Sequence, residues 1–463
     1  MSSYNTPGVY IEEISTLPAS IVPVATAIPA FVGVTEKYDL NPNDNALQLT
    51  PTRITSMVEY EKHFGGPVVA LSVDASYTVT AVSGAENNKL YYAVRAYFAN
   101  GGGPCWIVAT AKYNTTTAGA NVAYSSASSP FGLKQGLDKL EEEDEPTLVV
   151  IPDAVSLAQN DFNSLTQDML AHCAKLQDRF AILDSKVNAI GSSDLTTIRG
   201  GVGTQNLKYG AMYMPYLVDA QGYPDTAVNL SAVSGANLSA SLATAETDGG
   251  VAAALLPNLK NYRDAIATQS LVIPPSGAIA GIYATVDRNR GVWKAPANIS
   301  LNGVSKPSFT ITAADQELLN VDAGTGKSIN AIRPFSGKGI LVWGARTLDG
   351  NSNEWRYVPV RRLYIFVEES IKKATEFVVF EPNDANTWTK VRTMIENFLT
   401  GIWRDGALAG AKPDDAFFVN VGLGETMTAQ DILEGRLIIE IGLAAVRPAE
   451  FIILKFSHKL QES

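Results

Sequence analysis

Short apolar runs alternate along this chain with stretches whose apolar residues recur at helical spacing. Ala30-Phe31-Val32-Gly33-Val34 predicts a buried strand, and Ser56 to Phe64, closed by Gly65-Gly66, predicts a short helix with a glycine stop. Leu90 to Phe98 predicts a second helix, ended by Asn100-Gly101-Gly102-Gly103, and Cys105 to Ala109 the next strand. The alternation continues with a helix near 132–142, a strand Thr147–Ile151, a helix near 161–177 and strands Phe180–Leu183 and Lys208–Leu217. Ala75 to Thr80 fits a surface hairpin, and residues 218–250 and 297–331 are polar, turn-rich insertions. From Gly339 the chain is again apolar: a strand Ile340–Trp343, a helix Val360–Lys373 and a strand Phe377–Phe380. In Thr387 to Arg404, Trp388, Val391, Ile395, Phe398, Leu399 and Ile402 recur at three- and four-residue spacing, an amphipathic helix. Strands at Phe417–Val419 and Arg436–Ile441 follow. The fold class is therefore α/β, mixed with α+β, with more than one domain.

The two ends break the alternation. Residues 1–25 have no helical period and several prolines, an extended arm in which Val9, Tyr10, Ile11 and Ile14 form a β-prone run. At the other end Arg447 to His458 reads as a strand apolar on both faces, with Ile452, Leu454 and Phe456 on one and Phe451 and Ile453 on the other. Burying five such side chains contributes roughly 1.5–3 kcal/mol each, while ordering a dozen residues costs roughly 1–2 kcal/mol per residue. Main-chain pairing with a sheet edge, at about 1 kcal/mol per hydrogen bond, has to tip the balance. An arm of this kind is expected to join one subunit to its neighbours.

Composition narrows the class. At 463 residues, 46% hydrophobic and 18% charged, the chain has the material for a large core and two or three domains. A net charge of −11 argues against a nucleic-acid-binding face. Cys105 and Cys173 are the only cysteines, too few for a disulfide framework. The start has no basic, apolar signal segment, and no apolar run approaches the ~20 residues of a membrane span. Folding in the cytoplasm, without membrane insertion, is the expectation.

No constellation points to catalysis. Gly324-Thr325-Gly326-Lys327-Ser328 invites a phosphate-loop reading, but Val321 stands where the motif needs glycine, so a polar surface loop is expected. His63, His172 and His458 lie far apart, none with a partner at metal-ligand spacing. No nucleophile elbow or Cys-His signature occurs. No catalytic residue, metal site or cofactor is therefore assigned. The acidic run Glu141–Glu145 reads as a solvated helix end. Arg361, Arg362, Lys372 and Lys373 form a basic cluster, either a solvated helix face or a charged contact with another protein.

Several runs together resemble the tail sheath protein family of contractile phages and contractile injection systems. They are Tyr4 to Glu13, Val342-Trp343-Gly344-Ala345-Arg346-Thr347-Leu348, Trp355 to Arg362, Phe380-Glu381-Pro382-Asn383-Asp384 with Trp388, Gly435 to Gly442, and Arg447 to Ile452. They cover the first 35 residues and about 335–460 in family order, and are most similar to those of extracellular injection systems. The resemblance implies a structural, non-enzymatic subunit that stacks as six-membered rings around an inner tube, with baseplate and cap proteins as further partners; the alternatives are a tube or baseplate subunit of the same machine, or a cytoplasmic α/β enzyme. It implies assembly in the bacterial cytoplasm, as part of a phage tail or of a released tail-like particle. The implied layout is an N-terminal arm at 1–25, an α/β part at 26–130 and a middle, outward-facing region at 131–334. A tube-facing core at 335–446 and a strand arm at 447–463 complete it. On this reading the arms add strands to neighbouring subunits, and Arg361, Arg362, Lys372 and Lys373 are candidate tube contacts.

Overall fold

A computed structural model describes residues 21–38, 46–73, 79–83, 89–113, 122–128, 131–225, 228–232, 242–245 and 259–455. They divide into two compact units. One holds residues 25–366 together with 447–463, and the other holds 1–24 with 367–446.

The larger unit is built on a nine-stranded sheet. From edge to edge its strands are Ile299–Ser300, Gly339–Val342, Asn330–Phe335, Gly210–Met214, Phe180–Asp184, Leu148–Val150, Pro29–Thr35, Cys105–Lys112 and Thr52–Ile54. The six strands from Asn330–Phe335 to Cys105–Lys112 pair in parallel, and the outer pairings are antiparallel. Pro29–Thr35 and Phe180–Asp184 are buried at every position, which explains their unbroken apolar sequences. The expected helices form close to their expected ends: Met57–Phe64, Lys89–Ala99, Leu133–Lys139 and Gln159–Leu176. Ser56 accepts from the Glu59 amide at the start of the first, and Gly65, at φ 81°, ends it.

Other expectations change. The boundary near 130 falls inside one sheet, because Pro29–Thr35 pairs with both Cys105–Lys112 and Leu148–Val150. The boundary at 335 falls inside a hairpin, Asn330–Phe335 with Gly339–Val342, and the division lies near 366. The strand expected over Lys208–Leu217 is two, Gly210–Met214 and Leu217–Asp219, parted by Pro215. Region 297–331 contains the strands Ile299–Ser300 and Val304–Pro307 and the helix Ala313–Asn320, started by a capping box of Thr312 and Asp315. Of the hairpin expected over 75–80, residues 74–78 lie outside the described residues, and the strands on either side, Val69–Val73 and Val79–Ser83, pair antiparallel. Val228–Ala232, from within the expected insertion, joins them.

The helix Ser276–Arg290 was not legible, because it is apolar or small nearly all round. It packs on Lys89–Ala99 through Gly277, where an added Cβ meets the Ala93 carbonyl oxygen at 2.2 Å. Its first amide and the Ser276 hydroxyl donate to the buried Asp184 carboxylate at 2.8 and 2.5 Å.

The smaller unit is organised by the helix Ala385–Arg404. Asp384 accepts from the Thr387 amide at its start, and Val391, Met394, Ile395, Phe398, Leu399 and Ile402 are buried. Phe417–Asn420 pairs antiparallel with Glu440–Leu443. The strand expected at Arg436–Ile441 begins only at Glu440, because the chain is still leaving the helix Ala429–Leu433 through Gly435 at φ 73°. Phe377–Phe380 is not a strand. Glu376–Val378 forms a single 3-10 turn, and Phe380, at φ 72°, turns the chain toward Pro382 and the Asp384 cap.

Gly277→Ala is predicted to destabilise the larger unit by about 1–3 kcal/mol despite the better helix propensity of alanine. Gly200→Ala, on an exposed helix face with nothing within 4 Å, is predicted to be neutral or stabilising by up to ~1 kcal/mol. Thermal melts of the two variants should shift in opposite directions or differ by several degrees; equal shifts contradict the packing described.

Candidate functional site

The segment after Val446 contains a fixed root and an unpaired apolar continuation. The root is Glu450. Its carboxylate accepts from Arg346 Nε at 3.0 and 3.2 Å, from Arg346 Nη2 at 2.5 Å, from Asn320 Nδ2 at 3.0 Å and from the Tyr357 hydroxyl at 3.2 Å. Arg346 is buried and spends its other terminal nitrogen on the carbonyls of Asn320 and Gly350. Its own backbone is held by Asn330 of the sheet, whose side chain donates to the Arg346 carbonyl and accepts from the Arg346 amide, both at 2.8 Å. Gly344 is required two residues earlier, since a Cβ there meets Asn330 Oδ1 at 2.7 Å.

The guanidinium is thus oriented before the carboxylate arrives, in the bidentate geometry that arginine favours and lysine cannot reproduce. Burial pushes the Glu450 carboxyl upward, but the hydrogen bonds from Arg346 and Asn320 outweigh it and hold the group below its ordinary value of 4.5. A cavity of about 540 Å³ opens beside the pair, lined by Lys294, Arg333, Trp343, Tyr357, Pro448 and Ile452 among others.

Beyond Glu450 the segment presents apolar groups to solvent. Phe451, Ile452, Ile453 and Leu454 are 69, 81, 79 and 72% exposed, and no strand is formed between 447 and 455. Four consecutive large apolar residues facing water form one contiguous apolar run rather than scattered surface hydrophobics. Within one copy the expected strand therefore has no ladder partner among the described residues. Phe456 of the same run, and Val9, Tyr10, Ile11 and Ile14 of the N-terminal arm, lie outside the described residues.

The second candidate group is split. Arg361 and Arg362 are each only 3% exposed. Arg361 lies over the rings of Tyr209 and Trp355, 4.7 and 4.9 Å from their centroids. Arg362 is ion-paired with Asp287 at 2.5 Å. A surface patch of four cations is thereby corrected to two, because both arginines are spent inside their own subunit. Lys372 and Lys373 remain, 64 and 36% exposed at their side chains, near Glu369 at 3.2 and 3.5 Å.

The loop at Gly324 is held by hydrogen bonds to its own chain. Asp322 accepts from the Thr325 amide at 2.7 Å, and Lys327 turns inward to donate to the Arg199 carbonyl at 2.5 Å. His172 is buried beside Arg179, and burial followed by that cation lowers it to about 4, the behaviour of a neutral core histidine. Among the described residues no group of three His, Cys, Asp or Glu side chains could hold a metal, and no helix is long and apolar enough to cross a membrane. Sequence reasoning quoted the runs containing Arg346 and Glu450 but did not join them. Their separation of 104 positions leaves no local signal.

Known proteins resemble the chain in the same places and beyond. Residues 351–459 match the family described as phage tail sheath C-terminal domain. The sheath of an extracellular contractile injection system, the PVC complex in its contracted state, is 33% identical over 99% of both chains, with a TM-score of 0.66. The contracted helical sheath of the anti-feeding prophage is 34% identical over 99% of this chain and 100% of that one, with a TM-score of 0.67. The tail sheath protein of Vibrio phage KVP40 is 28% identical over 169 residues, 36% of this chain and 23% of that protein. The matched stretch thus spans less than a quarter of the phage protein's length.

Glu450→Gln is predicted to free the segment at neutral pH, read as faster motion of a nitroxide placed at Leu454→Cys. In the unsubstituted chain the same label should loosen only in acid. The folded carboxyl titrates below its unfolded value, so the pair's contribution is complete above about 4.5 and is lost as pH falls through the lowered folded value. A label equally mobile in both proteins at pH 7 contradicts the clamp.

Proposed function

The chain belongs to the tail sheath family of contractile phage tails and injection systems, and we propose that it is the repeating structural subunit of a contractile sheath. Copies stack as six-membered rings around an inner tube, on a baseplate and under a cap, and contraction drives the tube through a target envelope. The role is mechanical rather than enzymatic. Assembly takes place in the bacterial cytoplasm, with the finished particle a phage tail or a released device. Near full-length similarity to two sheath chains in contracted assemblies supports this reading.

The observation that carries it is the exposed run Phe451–Leu454 on a pinned root. A strand apolar on both faces, without a ladder partner in its own copy, needs a sheet edge from another. The pair Phe417–Asn420 and Glu440–Leu443 supplies edges of the right kind. A two-stranded sheet is marginal by itself, and one or two further strands from neighbouring copies would stabilise it. Phe418, about half exposed on that sheet, gives an incoming apolar strand something to pack on. The N-terminal run Val9, Tyr10, Ile11 and Ile14 is proposed as the second added strand. Flexible links ending in firm strands let rings rotate without separating.

Residues 367–446 are proposed to face the inner tube, with Lys372 and Lys373 the remaining cationic contacts. Charge reversal of both should impair assembly around the tube while sparing tube-free polymers; full-length particles formed at the normal yield would count against it.

Deletion of residues 451–463, which keeps Glu450 on Arg346, is predicted to leave a soluble, folded subunit that forms no sheath, checked by sedimentation and negative-stain microscopy. Normal sheaths from the truncated chain would sink the proposal.

A further inference from the structure

Arg362 offers a second pinned root, at the other end of the chain. Its guanidinium donates through Nη1 to Asp287 Oδ1 at 3.0 Å and through Nη2 to Asp287 Oδ2 at 2.5 Å. Nη2 also donates to the main-chain carbonyl of Thr26 at 2.7 Å. The side chains of both charged partners are almost fully buried, at 3% and 5% exposure. The guanidinium lies over the Tyr283 ring, 4.7 Å from its centroid, and the Tyr283 hydroxyl bonds that of Tyr213 in the main sheet at 2.7 Å.

Thr26 lies between Val24, whose amide donates to Ser370 Oγ at 3.2 Å, and the first strand of the sheet. Two residues later the Ile28 amide donates to Thr147 Oγ1 at 3.0 Å, and the Ile28 carbonyl accepts from the Thr147 amide at 2.9 Å. The first strand of the sheet starts at Pro29. Ala25, one residue before Thr26, is exposed. A buried ion pair is therefore spent on one main-chain carbonyl just ahead of the first strand. A buried pair contributes little net stability over an apolar pair of the same volume. Its geometry, by contrast, fixes a position.

We propose that Arg362, oriented by Asp287, is a positioning residue that fixes the root of the N-terminal arm. It matches Arg346, which fixes the root of the C-terminal one. The inference rests on the reading that the arms join copies, and gives that reading its mechanical basis. A pull on the arm is taken by the Thr26 carbonyl and the Asp287 pair, and passed through Tyr283 and Tyr213 into the sheet. The register of the central strand Pro29–Thr35 is spared. Arginine is required because one planar fork meets two carboxylate oxygens and a carbonyl together, which an ammonium group does not.

Two full-length variants test this. Arg362→Lys keeps a cation opposite Asp287 but gives up the fork. Arg362→Leu with Asp287→Leu removes the pair without stranding a buried charge, so the body is expected to fold and to melt within a few degrees of the original. Amide hydrogen exchange is measured on unassembled subunits, where arm pairing plays no part, and assembly is measured separately by sedimentation. The expected result for both variants is at least ten-fold faster exchange across residues 24–28, with residues 30–35 unchanged. The concentration needed for polymerisation should rise several-fold. Unchanged exchange at 24–28 in the folded double variant overturns the anchoring. So does acceleration spread equally through 30–35, which would mean that Arg362 holds the sheet rather than the root. Faster exchange with unchanged polymerisation overturns the anchor's part in assembly, whereas failure of the arm reading itself appears as unchanged polymerisation after deletion of residues 1–20.

Discussion

A guanidinium buried in a protein has to be met by a carboxylate and by carbonyls, and this chain uses that requirement to tie distant segments together. Arg346 leaves the sheet already oriented by Asn330 and is completed only when Glu450 arrives from 104 positions away. Removing either partner of such a pair strands a buried charge, which costs several kcal/mol and forces the segments to stay together. The pair adds little to the stability of the body. It decides where the terminal segment begins, and therefore where its apolar continuation can reach.

That division of labour suits a subunit whose run Phe451–Leu454 is not part of its own core. The nine-stranded sheet, with strands buried at every position, supplies a stiff body. The run Phe451–Leu454 is incomplete alone, and its exposed apolar groups represent free energy recovered only on association. A stiff sheet with a pinned, apolar C-terminal run has the properties a lattice subunit needs if it is to move and stay attached.

Much of this was legible in the sequence, and the failures have definite causes. Buried parallel strands announce themselves as unbroken apolar runs, and the helix Ala385–Arg404 through its period, so both were read close to their true ends. Ser276–Arg290 escaped because a helix buried all round has no polar face to set a period. Phe377–Phe380 misled because an apolar run before a proline reads as a strand, whereas Asp384 caps a helix there and the run is turned outward. The basic cluster misled in another way. Arg361 and Arg362 look like surface charge until their partners, Tyr209, Trp355 and Asp287, are brought in from remote positions. Local pattern finds elements, and it cannot find pairings that depend on topology. The apolar terminal run was legible as unfinished, but the glutamate that anchors it was hidden in plain view one position before it.

The most direct test of the account is a map of the assembled polymer at a resolution that traces the main chain. The account predicts that residues 451–455 of one copy run as a strand with main-chain hydrogen bonds to the Phe417–Asn420 or Glu440–Leu443 edge of another, while Glu450 stays on Arg346 of its own copy. Residues 451–455 found packed against their own subunit, or Glu450 parted from Arg346 in the same map, would contradict it.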